Sequence, residues 1–179
     1  MAKYYFIPIL AISLGLLSCK FDSTPKEMNY GGASFQYPRA WSSETEKLDE
    51  GAYYIACEQR LGSDIVVVCS FDSNDIDLDF LIDNYFSTLD NSLQNLSKGA
   101  STDSQFAGYE CTQISYTAKA GREAVYGSIY LFYANGRTIM LAKQTNTEKR
   151  LEKNFELIEN SFEVKPLIIE TITEIVEEE

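Results

Sequence analysis

Four aspartates lie close together in one short segment of the chain: Asp72, Asp75, Asp77 and Asp79. Hard cations such as Ca²⁺ are bound by several oxygens at once, so this cluster is a candidate calcium site. The segment fails the EF-hand pattern, because Phe80 and Phe86 stand where a loop counted from Asp75 needs a glycine and a bidentate glutamate. Acidic residues before a helix also cap its exposed N–H groups, which is the simpler explanation of these aspartates.

Nucleophilic catalysis has little support in the residue types. The chain contains no histidine, so a Ser/His/Asp or Cys/His arrangement cannot form. One S-x-x-K match, Ser23 to Lys26, lies beside Pro25, and the sequence lacks the K-T-G and S-D-N partners of that motif. We expect a protein without enzyme activity or cofactor. A hydrolase that uses two of the 27 acidic residues is the enzyme alternative, since spacing along the chain does not reveal which carboxylates meet.

The first residues have the parts of an export signal, with a positive start at Lys3 and an apolar run from Tyr4 to Leu17. The run Leu16-Leu17-Ser18-Cys19 resembles the lipobox of bacterial lipoproteins, which are cleaved before the cysteine and carry lipid on its sulfur. The resemblance implies a signal peptide over 1–18 and a lipidated Cys19. The apolar run is shorter than the ~20 residues that span a bilayer. An ordinary cleaved secretory signal is the alternative.

Lipidation at Cys19 predicts a protein that stays on a membrane surface, because two or more acyl chains give a stable anchor. We therefore expect it in the bacterial cell envelope. Lys20 follows the cysteine instead of Asp, which favours the outer membrane over the inner membrane. The net charge of −12 would repel nucleic acid and anionic head groups, so we expect no nucleic-acid partner.

Three further cysteines follow in the chain. Cys57 and Cys69 lie in two runs that we predict to be the arms of one hairpin, where a disulfide could form in an oxidising envelope. Cys111 would then be a free thiol. The alternative is that all three are small buried residues without a bridge. No C-x-x-C spacing is present, so a zinc or redox centre is not expected.

The length after the signal suits one domain. Residues 19–29 are polar and lack periodicity, which predicts a tether, and 30–164 predict the folded domain. Short runs rich in aromatic and β-branched residues predict strands at 34–37, 51–59, 64–71, 109–118, 123–133 and 138–144. Asn135-Gly136 is typical of a type I′ hairpin turn between the last two.

Apolar residues recur at helical spacing over 78–98, before Gly99, and again at Leu151, Phe155 and Ile158. A last short strand is predicted at 162–164. In the run 125–133, apolar residues occupy both the odd-numbered and the even-numbered positions, so both faces of the strand are apolar. The sheet that contains it should therefore be covered on both faces. We therefore predict an α+β fold in which an antiparallel β-sheet is sandwiched between helices, an α/β/α sandwich.

Several patterns between Ser34 and Val164 resemble the PsbP-like fold, which is shared by the extrinsic PsbP proteins of photosystem II, a Ran-binding protein of yeast and many bacterial envelope lipoproteins. The patterns are Tyr37-Pro38 followed by Trp41, a long helix after the first hairpins, Gly108 at a strand entry, Asn135-Gly136, and Asn160-Ser161-Phe162. The resemblance implies an accessory domain that binds proteins or assists assembly, without shared catalytic residues.

Two segments could form a partner-binding face. Tyr126 and Tyr130 lie on a predicted strand, and tyrosine is favoured both at interfaces and simply in strands. The acidic amphipathic tail 165–179 places Ile168, Ile172 and Ile175 on one helical face, which predicts either a partner-binding helix or a tail that is packed on its own domain or disordered.

These observations predict a membrane-anchored, non-catalytic envelope lipoprotein that binds an envelope protein partner or a ligand, in assembly or transport. The alternatives are a carboxylate-dependent envelope hydrolase and a calcium-dependent binding module.

Overall fold

The computed structural model describes residues 24–168. These residues form ten strands and three helices, in the order β1 (Lys26–Tyr30), β2 (Ala33–Tyr37), β3 (Trp41–Asp49), β4 (Ala52–Gln59), β5 (Ile65–Phe71), α1 (Leu78–Ser92), β6 (Gln94–Phe106), β7 (Tyr109–Ala120), β8 (Glu123–Ala134), β9 (Arg137–Thr145), α2 (Glu148–Lys153), α3 (Glu156–Ser161) and β10 (Glu163–Val164). None of the helices in this part of the chain has the length and apolar character needed to cross a bilayer.

The main element is a seven-stranded antiparallel sheet with the strand order β3-β4-β5-β9-β8-β7-β6. A second antiparallel sheet has the order β1-β2-β10, so the first and last strands flank β2. The predicted hairpin is confirmed at β8–β9, where Asn135 and Gly136 both have positive φ, at 53° and 81°. Two residues with positive φ are what a type I′ turn requires.

Both faces of the large sheet are covered at β8, as the apolar run in that strand predicts. Val125, Ile129 and Leu131 pack on one face against α1, whereas Tyr130 and Phe132 belong to the core on the other face. That second core is closed by the three-stranded sheet together with Phe155 and Ile158 from the region of α2 and α3. The predicted sandwich between helices is therefore wrong in one layer, because a small sheet provides much of that layer.

Three strands were not predicted: β1, β3 and β6. All of β1 but Tyr30 lies in the predicted tether, and its Met28 is buried, so the folded part includes residues 26–29 as well. β3 and β6 are the two edge strands of the large sheet and are mostly exposed, so they lack the alternation of apolar residues that marks a strand.

The first helix ends earlier than its apolar spacing predicts. α1 stops at Ser92, since Leu93 has extended dihedral angles and the chain continues into β6. The second predicted helix is divided into α2 and α3 by Asn154 and Phe155, although Phe155 and Ile158 are buried as the spacing predicts.

Candidate binding cleft

The helix α1 covers only part of its face of the large sheet. The buried residues on this face come from β5, β7, β8, β9 and α1, and none of those described comes from β3 or β4. An open cleft of about 960 Å³ lies between α1 and the uncovered strands. We call it the α1–β3 cleft. It is the candidate functional site.

The lining of the α1–β3 cleft is mainly apolar. The strands provide the floor with Leu48, Tyr54, Ala56, Ile65, Val67, Cys69, Phe71, Met140 and Ala142, and α1 provides the wall with Leu81, Tyr85 and Leu89. Leu48 is 52% exposed, although leucine is usually buried. Concave apolar surfaces with a few polar groups are the usual form of binding sites.

A row of three residues crosses the sheet beside the cleft, and only Gln144 of the three lines it. Tyr116 on β7, Gly127 on β8 and Gln144 on β9 are neighbours in register. The Tyr116 ring lies over Gly127, and its hydroxyl donates a hydrogen bond of 3.2 Å to Oε1 of Gln144. The hydroxyl of Tyr85 on α1 lies 3.4 Å from that of Tyr116. The polar groups of Tyr85, Tyr116 and Gln144 therefore link α1 to the large sheet.

The tyrosine and cysteine groups in and beside the cleft are neutral at pH 7. Burial raises the pKa of Tyr116 to about 12 and that of Cys69 to about 11. The pKa of Tyr85 lies well above its usual value, first because of burial and then because of Tyr116. The pKa of Tyr54 is also raised, mainly by burial and further by the Cys69 thiol and nearby glutamates. These groups therefore provide hydrogen bonds and no nucleophile at neutral pH.

The charged groups that line the cleft are two glutamates on its outer rim. Glu44 on β3 and Glu58 on β4 lie on the cleft side, and no Lys or Arg of the described residues lines it. Both glutamates are exposed to water.

A buried carboxylate holds the β4–β5 hairpin, which forms much of the floor. Asp64 is 1% exposed and accepts hydrogen bonds from Thr145 Oγ1 at 2.6 Å, Asn154 Nδ2 at 2.6 Å and Arg150 at 2.9 Å. Arg150 also donates to Oε1 of Gln59 at 3.0 Å. This network ties the hairpin to β9 and α2. Sequence patterns did not reveal it, because its members are far apart along the chain and follow no motif.

The four aspartates of the predicted calcium site do not converge, and the described residues contain no cluster of acids that could hold a metal ion. Asp72 pairs with Arg137 and accepts a hydrogen bond from the Tyr53 hydroxyl at 3.2 Å. Asp77 caps α1 and accepts from the backbone N–H of Asp79 at 2.9 Å. Asp75 accepts a hydrogen bond from the Ser73 hydroxyl. The calcium prediction is wrong, and the capping explanation is confirmed for Asp77.

The predicted disulfide is also wrong. Cys57, Cys69 and Cys111 are all free and buried. Cys57 lies opposite Val66 in the β4–β5 ladder and belongs to the core beneath the small sheet, whereas Cys69 belongs to the core beneath α1. Side chains on opposite faces of a sheet cannot form a bridge without backbone movement. The alternative of buried, unbridged thiols is the one observed.

The predicted partner face is divided. Tyr130 is 7% exposed and its ring packs on Phe106 with centroids 4.9 Å apart, so it is not available to a partner and that prediction is wrong. Tyr126 is half-buried, and Ile168 is 84% exposed. Cys19, Ile172 and Ile175 lie outside the described residues, so their predicted roles stay predictions.

Comparison with solved structures identifies the fold. The solution structure of cyanobacterial PsbP (CyanoP) from Synechocystis sp. PCC 6803 matches with a TM-score of 0.53 at 17% sequence identity, over 82% of this chain and 95% of CyanoP. The fold is PsbP-like. This confirms the fold that the sequence resemblance implied, and at this identity the likeness concerns the fold alone.

Two further structures are similar to this PsbP-like chain. A crystal structure from Bacteroides thetaiotaomicron has a TM-score of 0.51 at 11% identity, over 78% of this chain and 48% of that one. LpqN of Mycobacterium tuberculosis, described as involved in cell envelope biogenesis, has a TM-score of 0.48 at 11% identity, over 81% of this chain and 92% of LpqN. No protein-family model matches the sequence, and no curated protein matches it.

Proposed function

We propose that this chain is a lipid-anchored, non-catalytic binding protein of a bacterial envelope, and that the α1–β3 cleft holds an apolar part of a protein partner. The observation that carries the proposal is the half-face of the large sheet that α1 leaves uncovered. An open apolar surface of this kind is typical of a binding site, because exposed apolar area is costly unless something covers it.

The proposed lipid anchor is supported by the residues that precede the folded domain. Cys19 ends a lipobox-like run, and β1 begins at Lys26, seven residues later. Seven extended residues reach about 25 Å at most, so the domain would stay close to the head groups to which the lipid is bound. The non-catalytic role is supported by the absence of histidine from the sequence and by the neutral state of the cleft tyrosines and Cys69.

The proposal is tested by photo-crosslinking in the native envelope. A photoreactive residue at Asn84, an exposed position on the α1 wall, should crosslink to a protein partner, and the same residue at Glu27 on β1 should not. Ala56→Trp fills the floor of the cleft and should abolish the Asn84 product. A second filling variant, Thr88→Trp, changes an exposed wall residue and should act in the same way.

Thermal melting of each variant checks that it is folded. Crosslinking from Asn84 that persists in both filled variants would contradict the proposal, as would equal crosslinking from Asn84 and Glu27.

A further inference from the structure

The charges around the α1–β3 cleft have one sign. Glu44 and Glu58 line the rim on the strand side, and Glu46 lies opposite Tyr54 in the β3–β4 ladder. On the helix side, the residues of α1 that line the cleft carry no charge: Leu81, Asn84, Tyr85, Thr88 and Leu89. An apolar floor beside an acidic rim is complementary to a partner with an apolar face and basic residues along its edge.

The dimensions of the uncovered surface suit one helix. Neighbouring strands lie about 4.8 Å apart, so β3, β4 and β5 together span about 10 Å, which is the diameter of one α-helix. The wall is α1, whose 15 residues are about 22 Å long. A second helix beside α1, at the usual interaxial distance of about 8–10 Å, would complete the helical layer on this face.

We propose that the α1–β3 cleft takes a basic amphipathic helix of the partner protein, with its apolar face on the floor and its Lys or Arg side chains over Glu44 and Glu58. This inference rests on the proposed function, because it names the partner that the cleft would bind. The chain's own C-terminal segment 169–179 is the competing occupant, since it holds apolar residues at helical spacing. Its five glutamates would face the acidic rim, so charge disfavours it.

The test uses two synthetic 14-residue peptides labelled with fluorescein. Both carry the same leucine face, and the polar face is lysine in one and glutamate in the other. The full chain is held in phosphatidylcholine nanodiscs, and binding is measured by fluorescence anisotropy after subtraction of the signal from empty discs. Glu44→Lys/Glu58→Lys reverses the rim charges. Glu27→Lys/Glu123→Lys makes the same change in net charge at exposed residues that do not line the cleft.

We expect the lysine peptide to bind and the glutamate peptide not to bind. The rim variant should bind the lysine peptide roughly tenfold more weakly than the matched control variant at low ionic strength, and 0.5 M salt should reduce this difference. Removal of residues 169–179 should leave the affinity within about twofold. Equal binding of both peptides, or equal weakening by the rim and control variants, would overturn the inference.

The outcomes separate this inference from the proposed function. If Ala56→Trp and Thr88→Trp abolish crosslinking in the native envelope while the rim variant leaves it unchanged, the cleft is a binding site and the basic-helix inference is wrong. If the filled variants change neither crosslinking nor peptide binding, both proposals are wrong. If removal of 169–179 increases the affinity for the lysine peptide tenfold or more, the C-terminal segment is the resident occupant and the inference is overturned.

Discussion

The hydroxyl of Tyr116 reaches Oε1 of Gln144 at 3.2 Å, two strands away, because the residue between them is Gly127. A Cβ atom on Gly127 would lie 2.1 Å from Cζ of the Tyr116 ring. The glycine therefore permits the ring to lie across β8 and to place its hydroxyl next to Gln144 and Tyr85, which line the α1–β3 cleft.

Gly127→Ala should displace the Tyr116 ring and lower the free energy of unfolding by about 1–3 kcal/mol, the usual cost of overpacking. Urea unfolding measures this change. Tyr116→Phe keeps the ring and loses the hydroxyl, so it should cost only about 1 kcal/mol. A Gly127→Ala variant as stable as the parent would show that the ring does not depend on the space above the glycine.

Asp64→Ala should destabilise the fold by about 3 kcal/mol, because it leaves the buried Thr145 hydroxyl and the Arg150 guanidinium without their shared acceptor. Chemical unfolding measures the loss. Asp90→Ala, an exposed change on α1, serves as the control and should stay within about 0.5 kcal/mol of the parent. If the two variants are equally stable, the Asp64 network does not hold the β4–β5 hairpin.

The free energy of unfolding should decrease as the pH rises above about 9. Burial raises the pKa of Cys57 to about 12 and that of Cys69 to about 11, whereas both thiols ionise near 9.0 when unfolded. Between these values the unfolded chain has lost protons that the native chain keeps, so each thiol lowers the free energy of unfolding by about 1.4 kcal/mol per pH unit.

Urea unfolding at pH 8, 9 and 10 gives the slope of this decline. Cys57→Ala/Cys69→Ala removes both groups and should reduce the slope, while Cys111, whose pKa burial also raises, retains part of it. A parent protein with the same slope as the double variant would contradict the assignment of the decline to these two thiols.

Cys19→Ala should remove the membrane anchor. In the parent chain, mass spectrometry of the N-terminal peptide should find residue 19 as the first residue, with lipid on its sulfur and a mass increase that matches the acyl chains. The variant should lack this peptide, and Cys111→Ala, which changes a buried core thiol, should retain it. An unmodified thiol at Cys19 in the parent would show that the lipobox-like run is not processed.

Sequence patterns predicted those parts of the fold in which local chemistry and burial agree. Asn135 and Gly136 both adopt positive φ, as a type I′ turn requires. β8 has apolar residues on both of its faces because it lies in a part of the sheet that is covered on both sides. The edge strands β3 and β6 were not predicted, because most of their side chains contact water. Their sequences therefore lack the alternation of apolar and polar residues by which a strand is recognised. At the end of α1, Leu93 and Leu96 continue the helical spacing into β6, which made the helix look longer than it is.

The candidate site could not be predicted from the sequence of any one helix or strand. The α1–β3 cleft exists because α1 covers only part of a sheet face, and the position of a helix on a sheet follows from tertiary packing. Glu44 and Glu58 had no distinguishing signal, since acidic residues are common at exposed strand positions. The aspartates of 72–79 were the more conspicuous cluster, yet they serve a cap, an ion pair and a local turn.

The small sheet also determines where the two ends of the folded region emerge. β1 and β10 are both antiparallel to β2 and therefore run in the same direction. The chain enters at Lys26, opposite Tyr37, and β10 ends at Val164, opposite Ala33, which places the two points about 13 Å apart along β2. The segment that precedes Lys26 and the segment that follows Val164 are thus joined to the small sheet at opposite ends of β2, so a change to one junction leaves the other untouched.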